Sequence, residues 1–418
     1  MKRNFFALAA LAVLLSAGMV SCGDDKNDVV PSGGGETSQT DDALNIDYSA
    51  ENAEQWGNYM VAVASLLQKD ATTLHNDWSA SYQGGQSYAD IVRNYGAGNE
   101  YYPSAISCID EILQACAGIA DEVGGQKIGE PYRLYQAGRT MEALYAVESW
   151  FSYHSIEDYS NNIRSIRNAY YGVYEPSKKD SEIVPHTKSM SALVAVSNAE
   201  LDAKARRLIQ NAIDKIEAIE NPFRDHIVSR ESDEARSACS ELKEFIDGEL
   251  IPYFDTTLKD HAALGDIINQ FVDGVILPTY KDLKDKNDLL YAAVRQFQAS
   301  PSNLNFQNCA NAWMASRTPW ESSEAFLFGP VVAKGLDPNM DSWPLDANGI
   351  VAILKSNKFE QIEWTGEYVA EPEDDSEAAT MTAADLAKAE EIAAAQNLRG
   401  FHTLEFLVFK AGRARKVN

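Results

Sequence analysis

Near its C-terminus the sequence runs Gly400-Phe401-His402-Thr403-Leu404-Glu405. Residues three apart on a helix share a face, so His402 and Glu405 project together. An imidazole and a carboxylate at that spacing can ligate a metal ion, as helical carboxylate sites do. The same spacing suits a core histidine bonded to its neighbour, and His154 with Glu157 repeats it. Phe401, Leu404, Phe406, Leu407, Val408 and Phe409 make this segment apolar nearly all round, so the pair should be buried. A buried His–Glu pair is costly without partners. Polar groups stranded in apolar sequence elsewhere are therefore expected to meet it.

Residues 312–329 are one such stretch. Trp313, Trp320, Phe326 and Phe328 demand burial, yet Arg317, Glu321 and Glu324 are interleaved among them. Arg317 and Glu324 lie two turns apart, near one face of a continuous helix, although Pro319 is expected to break it. Arg317 could orient a carboxylate, bind an anion or form an interface salt bridge. Downstream, Asp341-Ser342-Trp343-Pro344-Leu345-Asp346 reads as a turn before a short helix. Asp346 either caps that helix or joins the site.

These groups need a scaffold, and the periodicity supplies helices almost throughout. Apolar residues recur at helical spacing over 50–69, from Tyr102-Pro103 through Cys116, and over 132–152, 183–219, 232–250, 262–297 and 303–317. A last helix is expected from Thr382, with a capping box to Asp385, to about Phe409. Strand-like alternation is scarce, and glycine and proline fall between the helices. The pattern points to an all-α protein of two helical bundles. Pro252 and the following Phe254-Asp255-Thr256 mark a candidate boundary. The acidic stretch 367–382 reads as a mobile surface loop.

Several segments taken together resemble the signature blocks of the imelysin-like family, the insulin-cleaving membrane protease class. The family's GxHxxE is matched by Gly400, His402 and Glu405. Its Trp–Arg block is matched by Trp313, Arg317, Pro319 and Glu324, with Ser323 beside the glutamate, and the WPLD run supplies Trp343 and Asp346. A Ser–Asp block resembles the run from Phe151 to Gly172. There Ser152 and Asp158 match, Ser155 replaces a threonine, and Tyr153 and His154 depart. The blocks come in a different order from the usual family arrangement, which a circular permutation accounts for. The resemblance implies two similar four-helix bundles, over 45–253 and 254–418, with a site between them. It gathers Gly400, His402, Glu405, Glu324, Arg317, Asp346, Ser323, Trp343, Ser152, Ser155 and Asp158 there. His402, Glu405 and Glu324 are the expected metal ligands. Hard oxygens with one nitrogen suit iron or another divalent metal.

The resemblance implies a non-catalytic binding protein of iron uptake, whose ligand is a metal ion, haem or an organic anion. A metallopeptidase is the second reading. It is disfavoured because HExxH, which puts two ligands and a base on one helix, is absent. A structural or polymer-binding helical lipoprotein is the third.

The chain of 418 residues is long enough for two domains, and its net charge of −26 argues against a nucleic-acid partner. Lys2 and Arg3, the apolar run 5–20 and then Ser21-Cys22 resemble a bacterial lipoprotein signal over residues 1–21, with Cys22 as the lipidated residue. Residues 22–44 read as a flexible tether, and their acidic start resembles a surface-export signal. The expected location is therefore the outer membrane, facing the cell surface or, alternatively, the periplasm. No later apolar run is long enough to span a bilayer. Cys108, Cys116, Cys239 and Cys309 lack zinc-ligand spacing and read as small buried residues.

Overall fold

The computed structural model describes residues 46–372 and 374–417. The leader, the tether and Cys22 lie outside these. The described chain is helical, and its strands are two antiparallel pairs of residues, Phe409–Lys410 (β1) and Arg413–Ala414 (β2). No helix among the described residues is long and apolar enough to cross a membrane. Cys108, Cys116, Cys239 and Cys309 are buried free thiols.

Two four-helix bundles carry the architecture. The first consists of α2 (Ala105–Glu122), α3 (Ser155–Tyr171), α4 (Ala199–Glu217) and α5 (Arg230–Phe245), each packed on two of the others. Local signals set these helices. Ser104 and Ser107 form a capping box ahead of α2, and Asn198 caps α4 through Leu201. The second bundle consists of α1 (Ala53–Ser79), α6 (Leu277–Ala299), α7 (Asn303–Glu321) and α11 (Gly400–Val408). Trp56, Tyr59, Met60, Val63, Leu67, Leu74 and Trp78 line the buried face of α1. Each such side chain contributes about 1.5–3 kcal/mol through burial. The indoles of Trp56 and Trp313 donate to the carbonyls of Leu407 (3.0 Å) and Phe401 (2.9 Å), tying α11 into its bundle. The cores of the two bundles merge into one apolar cluster.

The expected division at 253/254 is corrected in one respect. α1 packs on α6 and α11, so the first described helix belongs to the bundle built from the C-terminal half. The boundary at Pro252 is absent as well, because the helical run of α5 continues through two wider π-type turns to Leu258. The ends of the described chain adjoin. Asp47 pairs with Arg415 at 2.7 Å and with Lys410 at 2.7 Å. Adjacent ends are the geometric condition for circular permutation.

Other departures have local causes. Pro319 does not break α7. The expected helix over 132–152 is two short helices, Gly129–Gln136 and Thr140–Tyr145, parted by Gly138 at φ +80°. Within 183–219 the helices are Met190–Ser197 and α4, with Asn198 between them. The last expected helix is also two, α10 (Ala383–Gln396) and α11, because Gly400 takes φ +87°. Two further short helices, α8 (Leu336–Asp341) and α9 (Ala347–Ser356), cross the second bundle.

Candidate metal centre

The bundles meet where α3 lies on α7, and where the turn Glu324–Phe326 lies on α2 and α3. Hydrogen bonds cross this seam. Asn162 binds the Glu321 carboxylate, and the Ala325 amide donates to the Ser165 hydroxyl at 3.0 Å.

His402 is fully buried at the seam, between two carboxylates. Its Nδ1 lies 3.1 Å from Glu405 Oε2, and its Nε2 lies 3.1 Å from Asp341 Oδ1 and 4.0 Å from Glu148 Oε1. Glu405 is held from its other oxygen. Oε1 accepts from the Phe151 amide (3.0 Å), the Ser152 amide (2.8 Å) and the Ser152 hydroxyl (2.7 Å). Glu405 therefore clamps the loop before α3 to α11 and fixes the imidazole's orientation. A carboxylate on one ring nitrogen leaves the other nitrogen directed toward Asp341. Trp343 closes one side, its ring centroid 4.8 Å from that of His402.

Gly400 explains how Asp341 arrives. Its backbone passes so close to the end of α8 that an added Cβ would fall 2.5 Å from the Met340 carbonyl oxygen. This approach seats Asp341 on His402. Trp320 then donates to Asp341 Oδ2 at 2.7 Å, and Arg317 pairs with Oδ1. Arg317 is fully buried and also binds Asp158 (3.0 Å) and Glu321. It is thus an interface ion-pair hub linking α7 to α3 and α8.

A second cation, Lys127, enters from a π-type turn, Val123–Lys127, whose Gly124 packs against Cys239 and the Arg236 carbonyl. Its ammonium lies 3.1 Å from Glu148 and 3.6 Å from Glu122. Eight carboxylates gather around these cations among the described residues: Glu122, Glu148, Asp158, Glu321, Glu324, Asp337, Asp341 and Glu405. So dense an acidic cluster retains protons. Burial pushes Glu122 up to about 7 and Asp337 up to about 8. Burial lifts Glu321 and Glu324 well above the carboxylate range, with Arg317 opposing for Glu321 and Lys127 for Glu324. Asp341 moves the other way: burial is overridden by Arg317 and His402, which keep it ionised. Burial alone would lower His402, but the Asp341 and Glu405 carboxylates raise it to about 10. Lys127 is likewise held charged against burial by Glu148, Glu324 and Glu122.

Donor atoms of Glu148, Asp341 and His402 all lie within 4.8 Å of one another. Two oxygens and one imidazole nitrogen, from three separate stretches of chain, fit iron, manganese or zinc. The expected ligands His402, Glu405 and Glu324 fall in different groups. Glu405 binds His402 Nδ1 and the 151–152 loop, and Glu324 lies in a second acidic group with Glu321 and Asp341.

Of the other expected residues, Ser152, Asp158, Arg317, Trp343 and Gly400 converge as described. Ser155 supports from behind, its hydroxyl donating to the Glu148 carbonyl at 2.6 Å. Ser323, just past α7, donates its hydroxyl to the Trp320 carbonyl. Asp346 caps α9 through the Gly349 amide at 2.9 Å and stands outside the cluster. Asp341, five residues earlier, takes its place. Glu148, Asp341 and Lys127 are the members of the cluster that motif reading missed. Glu148 in the apolar run Val147 to Phe151 was a readable signal, as was Asp341 two residues before the Trp-Pro pair. Lys127 had none.

A family model described as Imelysin (Peptidase_M75) matches residues 25–247 and 276–417. The crystal structure of an imelysin peptidase from Bacteroides ovatus is 47% identical, covering 90% of this chain and all of that one, with a TM-score of 0.81. Iron-regulated protein A of Synechococcus elongatus is 36% identical over 83 residues, 20% of this chain. That match spans 23% of the relative's own length.

Proposed function

The chain belongs to the imelysin family, and from that premise we propose that it is an iron-related metal-binding protein of the cell envelope. One ion of iron or another divalent metal would sit between Glu148, Asp341 and His402. The observation that carries this reading is the imidazole's arrangement. Glu405 fixes Nδ1, which turns Nε2 toward two carboxylates. The bound ion would supply charge to a seam in which carboxylates outnumber cations. Glu405 and Ser152 orient, Arg317 holds Asp341 and the two bundles together, and Lys127 steadies Glu148. The iron connection rests on the printed name of the Synechococcus relative. The envelope location rests on the lipoprotein-like leader and Cys22.

Binding is favoured over peptide hydrolysis because the imidazole has no exposed surface and Trp343 packs against it. A peptidase centre needs an open coordination position and a cleft for a polypeptide. The same closure favours an ion over haem or a larger organic anion.

The test is a titration of chelator-stripped protein with ferrous, ferric, manganous and zinc ions, followed by calorimetry. At least one is expected to bind, and His402→Ala is expected to abolish binding at this centre. Binding that survives His402→Ala unchanged, or hydrolysis of a protein substrate that chelator stops and metal restores, would overturn the proposal.

A further inference from the structure

Glu324, like Asp337, stands apart from the other acids of the seam. It is 8% exposed, and among the described residues it makes no hydrogen bond and no ion pair. Lys127, the cation whose charge acts on it, is engaged with Glu148 and Glu122. A buried carboxylate left without a partner is expensive. Yet Glu324 is aimed at company: donor oxygens of Glu321, Glu324 and Asp341 lie within 4.8 Å of one another. Asp341 is also a member of the histidine-containing trio.

We infer that Glu321, Glu324 and Asp341 hold a second divalent cation, so that the seam takes a pair of ions joined through Asp341. The inference rests on the metal-binding reading above. Charge supports it. Eight carboxylates share Lys127, Arg317 and His402, so oxygen donors exceed the cations that pair with them. Arg317, bonded to Glu321 and Asp341, and Lys127 oppose a further cation, so the occupant must carry enough charge to outweigh them. An all-oxygen trio selects a hard ion: manganous, ferrous, magnesium or calcium. The imidazole trio selects iron, manganese or zinc. Manganese suits both.

The full chain, stripped of metal, is titrated with manganous chloride and followed by elemental analysis and electron paramagnetic resonance. Two manganese ions per chain are expected, with the second producing the spectrum of an exchange-coupled pair. Glu324→Gln is expected to hold one ion with the six-line spectrum of an isolated centre, at wild-type first-site affinity. Glu324→Asp, which keeps the charge, should regain the second ion at roughly tenfold weaker affinity. A wild-type chain that saturates at one ion overturns the second site and leaves the one-ion reading intact. Two uncoupled ions overturn the sharing of Asp341, and two ions in Glu324→Gln overturn the role of Glu324. A chain that takes up none overturns both readings together.

Discussion

His402 lies between Glu405 and Asp341, and that position governs its proton. With its pKa raised to about 10, the ring is cationic in the metal-free protein at neutral pH. A metal can take Nε2 only when that proton leaves. Loading at pH 7 is therefore expected to release at least one proton per ion, read by an indicator dye in weak buffer, and to weaken as pH falls. The same shift bears on stability without metal. Its folded value exceeds the unfolded value of about 6.5, so the stabilisation is complete below about pH 6.5 and is lost as pH rises toward 10. Denaturant titrations should show wild type losing its advantage over His402→Gln across that window. An advantage that grows with pH would contradict the assignment. At this scale much was legible in the sequence. The apolar surroundings of His402 and Glu405 announced burial, and burial demanded partners. Their division of labour was not legible, because spacing puts two groups on one face without saying which nitrogen each partner takes.

Among the elements, the start of α11 is the sensitive one. Gly400 combines φ +87° with a near contact on the Met340 carbonyl, so a methyl group there meets both backbone strain and a clash. Gly400→Ala is expected to cost about 2–4 kcal/mol and to weaken metal binding by moving α8, and Asp341 with it, off His402. Gly118 is the control. It is exposed in α2 with nothing near its would-be Cβ, and Gly118→Ala should gain up to about 1 kcal/mol without touching binding. Equal effects in the two variants, by thermal melting and calorimetry, would remove Gly400 from the site. Helix periodicity was readable over most of the chain, but helix ends were not. Apolar spacing ran unbroken through Gly138, Asn198 and Gly400, where backbone conformation and side-chain capping ended each helix. Pro319, which looked like a breaker, is carried within α7 by the tertiary packing of Trp313 and Trp320.

Across the molecule, an all-α protein of two bundles followed from composition and pattern, whereas membership of the bundles did not. Helix pairing is a long-range property. Nothing local tells Trp56 or Trp78 that α1 will lie on α6, more than two hundred residues away. That pairing encloses the centre between chain stretches from both halves. Asp341 and His402 come from one bundle's sequence and Glu148 from the other's. Ion loading is therefore expected to raise the melting temperature of the whole protein in a single transition, since a ligand of the native state stabilises it by mass action. Two transitions, with only one moved by metal, would contradict a shared centre.

The meeting of Asp47 with Lys410 and Arg415 carries a consequence for topology. The described residues form almost a closed loop, so the fold does not fix the order in which its helices are strung. Bridging residues 46 and 417 with a few glycines and serines, and opening the chain at the exposed stretch 259–262, should give a rearranged protein that still captures its ion. In that protein each bundle would be written in one uninterrupted piece.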